Sequence, residues 1–323
     1  MISNSILFII FYFGSFPPYF QRFLQSCAAN KSVNWRIYTD NRTEYVWPDN
    51  VHKIEMSFRE CRELFQSRFD FSISLEEPAK LCDYKPAYGY ILEDSLADYD
   101  YWGHCDIDQI FGDLSLCLAD EILSEYDKMY TLGHFTVYRN DPQVNRCFTS
   151  PWGKRIPYRE VYSSPLPAGF DEWGEGNINE IFRASSYKML SEACGADIWP
   201  ESMNFCLSSY CEQTGGYVPE KGRDCIFRYG DGRLFQCRCA DGQWREKEYP
   251  YVHMQKRNFS DEYGDGKERS YYIIPNKFIA GTTEKEHAMK KGVRRYIVNR
   301  QFLKVKFRNL KQRIKVICRR WSG

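Results

Sequence analysis

After Glu286 the chain has no aspartate or glutamate, while 13 Lys or Arg follow before the last residue. The net charge of +1 therefore conceals an acidic body of net −12 and a basic tail, a division of labour within one chain. Nor does any apolar run approach the roughly 20 residues that a helix needs to cross a bilayer. SILFIIFYFG near the start lacks both a positive flank and a small-residue cleavage site, so it is not expected to be a signal peptide. Its β-branched and aromatic content, ended by Gly14, predicts the first strand of a parallel sheet, buried on both faces.

The 13 cysteines are scattered, odd in number and without a single CxxC pair, which argues against a disulfide scaffold or a zinc ribbon and for a reducing compartment. Cys237 and Cys239 alternate on one face of an expected strand and read as packing residues. No internal repeat or low-complexity segment is present. At 323 residues, with 43% hydrophobic and 27% charged, the chain can bury a sizeable core as one large α/β domain with elaborations or as two smaller ones. Aromatics reach 17%, which suits a thick core and also sugar-stacking surfaces.

A break at SFPPYF, a helix over FQRFLQSCAANKS and a strand VNWRIYTD complete a βαβ unit. Ligands of open α/β sheets bind at the carboxyl ends of strands, so Gly14 to Tyr19 and Asp40 belong to one candidate edge. A helical pattern follows from Phe58 to Phe69, and Lys80, Asp83 and Lys85 lie on a further expected helix. LADEILSEYD reads as a helix, KMYTLGHFTVYRN as one long strand, and residues 216–255 as antiparallel strands joined at YGDGR and ADGQ.

The stretch WGHCDIDQIFGDL places Asp106 and Asp108 at the end of an apolar strand. Adjacent carboxylates repel and are expensive near a core unless a cation offsets them. If the strand continued, both would share one face and Ile107 would point into the core. Such a pair suits Mg²⁺ or Mn²⁺ on a phosphate-bearing substrate, although a turn-forming Asp with a capping Asp would read alike. Late in the body, His253 follows an alternating strand with Gln255, Lys256 and Arg257 just beyond. Imidazole suits Mn²⁺, and the basic groups suit phosphate oxygens.

Taken in order, FG-x-x-P-x-YF, YTD, K-x-x-D-x-KPAYGYI, WGHCDIDQIFGDL, LGHFTVYRN, FDEWG and HMQKR resemble a family of bacterial polysaccharide glycosyltransferases of capsule and O-antigen biosynthesis. The resemblance covers roughly residues 5–260. It implies a GT-A-like, Rossmann-type mixed α/β sheet with flanking helices, antiparallel C-terminal strands and a basic helical tail. It implies a glycosyltransferase domain over residues 1–260, with a nucleotide-binding half at about 1–115 and an acceptor half at about 116–260, and a linker and tail over 261–323. Asp106, Asp108 and His253 match the family's Mn²⁺ or Mg²⁺ ligands. Asp40, Asp83, Lys85 and Lys256 match donor-binding positions, with a UDP-sugar the expected donor.

Asp171 and Glu172, in GFDEWGEGN, are candidate bases for an acceptor hydroxyl, which needs one only if the anomeric configuration inverts; solvated loop charges are the competing reading. The tail mixes its basic residues with Val293, Tyr296, Ile297, Phe302, Leu303, Val305, Phe307, Leu310, Ile314, Val316 and Ile317 at near-helical spacing. That pattern fits an anionic membrane surface, and no nucleic-acid recognition fold accompanies it. The expectation is an enzyme on the cytoplasmic face of a bacterial plasma membrane that extends a lipid-linked or surface polysaccharide. A nucleotidyl- or phosphotransferase using the same aspartates, or a non-catalytic nucleotide-sugar-binding protein, are the alternatives.

Overall fold

The computed structural model describes residues 2–211, 216–220, 225–240, 242–255, 257–261, 269–292 and 300–321. The chain forms two compact units that interleave along the sequence. Residues 1–16, 30–107 and 117–194 make the first, and residues 17–29, 108–116 and 195–323 the second.

The first unit contains β1 (Ile6–Phe11), β2 (Val33–Thr39), β3 (Val51–Glu55) and β4 (Tyr101–Cys105); β5 (Gln109–Phe111) belongs to the second, and β6 (Lys128–Met129), β7 (Phe135–Arg139) and β8 (Met189–Leu190) again to the first. The seven strands of the first unit lie in the order β3-β2-β1-β4-β7-β6-β8. β1 pairs in parallel with both β2 and β4, β2 with β3 in parallel, and β4 with β7 antiparallel. The expected mixed sheet is therefore present. All six residues of β1 are buried, as an apolar run without alternation requires. The chain runs from β1 outward through β2 and β3, then returns to lay β4 on the opposite side of β1. This reversal makes a switch point between the carboxyl ends of β1 and β4.

Helices cover the sheet. Residues Phe58–Gln66 form a helix because Ser57 and Glu60 close a reciprocal capping box, while Cys61 and Phe65 turn inward. Phe65, Tyr84, Tyr88 and Trp102 are buried in one cluster with Leu7, Ile9 and Phe11. Fully burying each such side chain contributes about 1.5–3 kcal/mol.

The second unit holds β9 (Ala196–Asp197), β10 (Ser208–Cys211), β11 (Gly216–Pro219), β12 (Cys225–Gly230), β13 (Arg233–Ala240), β14 (Gln243–Tyr249), β15 (Tyr251–His253), β16 (Ser260–Asp261), β17 (Ser270–Ile274) and β18 (Lys277–Ala280). They form a six-stranded sheet β14-β13-β12-β17-β18-β16, a three-stranded sheet β5-β15-β9 and the pair β10-β11. The β12–β13 hairpin turns on Asp231 and Gly232, both with positive φ (50° and 75°), the conformation that makes Asp-Gly a turn signal. The last element among the described residues is a helix, Arg300–Trp321. No helix among the described residues is long and apolar enough to cross a membrane.

Four local expectations are corrected. KMYTLGHFTVYRN is two antiparallel strands, β6 and β7, because Tyr130 takes φ 71° and the chain turns back before Phe135. Asp106 and Asp108 do not share a strand face, since β4 ends at Cys105 and the pair occupies the bend before β5, with only Ile107 inward as expected. Lys80, Asp83 and Lys85 lie on helix as expected, but helix divided into a 3₁₀ turn Pro78–Lys80, an α-helical turn Leu81–Tyr84 and a 3₁₀ turn Lys85–Ala87, with Pro86 preventing one regular α-helix. Cys237 is buried but Cys239, near the strand end, is exposed. Val293, Tyr296 and Ile297 fall outside the described residues, as does any statement on the side chains of Val316 and Ile317.

Candidate functional site

In the first unit β1, β2 and β4 run in parallel, so the residues after Phe11, Thr39 and Cys105 emerge on one edge. Exposed Asp40 accepts the N–H of Gly14 at 2.8 Å, and Asn41 Nδ2 donates to the Gly14 carbonyl, which ties the ends of β1 and β2 together. At the end of β4 the Asp106 N–H donates to the His134 carbonyl (3.0 Å), while its carboxylate accepts from Lys85 Nζ at 2.7 Å.

Lys85 is buried and also donates to the Gly133 carbonyl at 2.7 Å, with Asp171 Oδ2 3.8 Å away. Burial alone would strip its charge. The neighbouring anions, Asp106 foremost, outweigh that and hold its pKa well above the usual lysine value. The opposite holds for Asp171, which burial pushes up to about 7 despite the lowering pull of Lys85, with Glu172 adding to the rise.

Two anchors fix this arrangement. Asp83 accepts from Lys80 Nζ (2.8 Å) and from the N–H groups of Ala168 and Phe170 (3.0 Å each), and Lys80 donates further to the carbonyls of Val161 and Leu166. The loop that carries Asp171 is thus pinned at its start. Gly133 donates its N–H to Glu172 Oε2 (3.0 Å), and a Cβ there would lie 2.3 Å from Asp171 Oδ2. Only glycine lets the two segments approach so closely.

In the second unit, β15 pairs antiparallel with β5 and parallel with β9, which sets His253 opposite Gln109 on one side and Asp197 on the other. His253 Nδ1 lies 2.8 Å from Asp197 Oδ1, and its Nε2 lies 3.3 Å from Asp108 Oδ1. Gln255 Nε2 donates to both Asp197 oxygens at 3.0 Å, and the Met254 N–H donates to the Asp108 carbonyl. Burial opposes a charge on the imidazole. Asp108 and Asp197 overcome it and raise the pKa to about 10, so at neutral pH the ring is an imidazolium between two carboxylates.

Asp197 is the functional candidate that sequence reasoning missed. GADIWP carries no motif, and only the β9–β15 pairing brings its carboxylate to His253. A carboxylate on Nδ1 fixes the ring and directs Nε2 toward Asp108, the arrangement of metal-bound histidines once the proton leaves. A carboxylate oxygen and an imidazole nitrogen form a donor set suited to Mn²⁺. The residues present therefore fit the divalent ion. Asp106 stands two residues upstream of Asp108 on the same segment. Lys256 lies outside the described residues.

A family pattern matches residues 8–282, most of the chain. The chain belongs to DUF6625, a family of unknown function. The DUF6625 match spans every candidate site residue from Asp40 to Lys256 and stops short of the C-terminal helix. Comparison with curated proteins gives no match. Among solved structures, a crystal structure of the galactosyltransferase LgtC with donor and acceptor sugar analogues is similar at 10% identity, over 61% of this chain and 76% of its own, with a TM-score of 0.35. An active-site mutant of LgtC is similar at 11% identity, over 61% and 75%, with a TM-score of 0.34.

Proposed function

We propose that this DUF6625 chain is a metal-dependent glycosyltransferase that moves a sugar from a nucleotide-sugar donor, with UDP the expected nucleotide, to a surface-polysaccharide acceptor. The observation that carries the reading is the Asp-x-Asp segment leaving β4 at the switch point beside β1, where open α/β sheets take nucleotides. As the sequence resemblance implies, Asp106, Asp108 and His253 would hold Mn²⁺ or Mg²⁺; within the second unit Asp197 orients the His253 ring. The ion supplies charge stabilisation to the departing nucleoside diphosphate.

The protein's own groups do the rest. Asp40 receives the nucleoside at the ends of β1 and β2, and Lys256, as the sequence resemblance implies, donates to the diphosphate. Lys85 holds Asp106 and Asp171 in place, and Asp83, whose oxygens are occupied by Lys80 and two amides, acts as a positioning residue. In an inverting reaction an acceptor hydroxyl oxygen bonds to the anomeric carbon as the bond to phosphate breaks. Its proton passes to the Asp171 carboxylate, whose pKa of about 7 suits that task, with Glu172 beside it.

Calorimetry with UDP, GDP and CDP, with and without Mn²⁺, tests the donor site. One nucleotide should bind only with the metal, and Asp108→Asn should lose that dependence. Metal-independent binding of equal strength in both proteins would overturn the reading, and pyrophosphate as a product would replace it with nucleotidyl transfer.

The tail gives the proposed place of work, the cytoplasmic face of a bacterial plasma membrane, where a lipid-linked acceptor is found. Gln301 donates to the Pro200 carbonyl, Lys306 pairs with Glu201 and Val305 is buried, so one side of the C-terminal helix is fastened to the second unit. Leu303, Phe307, Leu310 and Ile314 remain exposed at helical spacing among Lys304, Arg308 and Lys311. The combination suits anionic headgroups. Serine at Leu303, Phe307 and Leu310 should abolish sedimentation with phosphatidylglycerol vesicles. Undiminished sedimentation would remove the membrane role.

A further inference from the structure

Over β2 and β3, at the edge of the first unit's sheet, lies a groove of about 810 Å³, a volume within the range of small-ligand sites. None of the residues named for the donor, the metal or the acceptor base borders it. The parallel register sets Arg36 of β2 opposite His52 of β3, and Tyr38, two residues on, shares the face of Arg36. Trp47, from the β2–β3 connection, and Ser95 and Tyr99, from the approach to β4, complete the walls. Tyr38 is buried and stacks on Phe11 with ring centroids 4.4 Å apart, which fixes its orientation. Three aromatic side chains therefore border one groove.

The groove also has a sign. On a body of net −12 its walls contain no Asp or Glu, while Arg36 and His52 line it. Arg36 Nη1 donates to the Ser95 hydroxyl and carbonyl at 3.1 and 3.4 Å, neutral groups that orient the guanidinium without cancelling its charge. Its Nε and Nη2 keep their donors in the planar fork that matches a carboxylate. Lys53, also at the border, is already paired with Glu55 at 3.2 Å. One uncancelled cation calls for one negative charge, and aromatic walls call for a ring with an apolar face. A pyranose offers its C–H face to such walls and its hydroxyls to the imidazole and to Ser95. A neutral sugar would desolvate the guanidinium without return, and a nucleoside diphosphate brings more negative charge than one fork can take.

We propose that this groove is a holding subsite for an acidic glycan and takes one hexuronate ring, with its carboxylate on Arg36 and its pyranose face against Trp47 and Tyr99. The inference rests on the polysaccharide glycosyltransferase reading and gives the acceptor a negative charge. Arg36 precedes Asp40 by four residues, so at a strand rise of about 3.3 Å per residue the second hold lies about 13 Å from the proposed nucleoside position.

The test uses the full chain with ¹⁵N-labelled tryptophan, whose 8 indole N–H signals are resolved by NMR, and Trp47→Phe assigns the one of interest. Methyl glycosides of glucuronic, galacturonic and mannuronic acids are titrated beside the corresponding neutral hexosides, with inorganic phosphate and UMP as further probes. At least one uronoside should shift the Trp47 signal saturably, with its neutral parent bound about tenfold more weakly, the worth of one hydrogen-bonded charge pair. Arg36→Gln should erase that preference, and Arg36→Lys, which keeps the charge, should still favour the acid. No binding of any uronoside, equal binding of acid and neutral sugar, or an unchanged preference in Arg36→Gln overturns the proposal. Phosphate or UMP binding there more tightly than every uronoside also overturns it and makes the groove a phosphate site. UDP with Mn²⁺ is then titrated into the same sample. Nucleotide binding without uronoside binding sinks the groove alone, and uronoside binding without nucleotide binding sinks the donor reading instead.

Discussion

Asp106 and Asp108 are two residues apart and belong to different units, and they meet their counter-charges by different means. Asp106 faces Lys85, a buried ammonium also bound to a backbone carbonyl and flanked by Asp171. Asp108 faces His253, an imidazole whose charge depends on a proton. The first arrangement is permanent at any physiological pH, because Lys85 titrates well above it. The second is removable, because an imidazolium that loses its proton exposes a metal-ligating nitrogen between two carboxylates. A lysine fixes geometry, and a histidine offers a place where a cation can be exchanged for a proton.

The largest effect should follow from breaking the permanent half. Lys85→Met removes the cation shared by Asp106 and Asp171 and leaves the Gly133 carbonyl without its donor. Removing one partner of a buried pair costs about 3–5 kcal/mol, and the low end applies here because the Asp106 carboxylate is about one-third exposed. Urea unfolding should show a loss of about 3 kcal/mol that stays constant between about pH 7 and pH 9, whereas the loss in His253→Gln should shrink over that range, because an imidazole with a folded pKa of about 10 gives up its stabilising charge as pH rises toward that value. Losses that follow pH alike would erase the distinction between the two halves.

The exchangeable half predicts a pH dependence of a different kind. Mn²⁺ must displace the proton on His253, whose pKa is about 10 without metal, so apparent Mn²⁺ affinity should rise about tenfold per pH unit between about pH 6 and pH 8. In His253→Gln the slope should fall toward zero and the affinity at high pH should drop by more than tenfold. Manganese titrations followed by proton relaxation would measure both. A slope that survives the substitution would mean that another group gives up the proton.

Much of this was legible in the sequence, and the limits have physical causes. β1 could be read because a strand buried on both faces is a continuous apolar run, and the Asp231-Gly232 turn because few residues accept positive φ. Asp106 and Asp108 stood out as a concentration of like charge after an apolar strand. Their geometry did not, because the bend after Cys105 is set by hydrogen bonds to His134 and Met254, far along the chain. Asp197 and Gly133 were invisible for the same reason, since each acts through a partner brought close only by strand pairing or loop packing. Asp83 could be noticed as a charge on the right segment, but its occupation by Lys80 and two amides is a tertiary fact.

The smallest expected effect sharpens the comparison from inside the permanent half. Asp171 is the one group there whose own charge is in question at neutral pH, because burial raises its pKa from 3.8 to about 7. A carboxyl with a raised folded-state pKa contributes stability that is fully present below its unfolded value, near pH 4, and is lost as pH rises through about 7. Wild-type protein should therefore lose stability across that window, and above it the ionised carboxylate persists only through Lys85. Asp171→Asn keeps the shape and one acceptor but cannot ionise. Its stability should change less than wild type's between about pH 5 and pH 8, with the variant gaining on wild type by about 1 kcal/mol at the upper end, close to the free energy of a tenfold change in proton affinity. Because Lys85 is then left with Asp106 as its carboxylate partner, the gain stays small. If melting curves of the two proteins run parallel across that range, Asp171 is already ionised throughout and adds no pH dependence to the Lys85 arrangement.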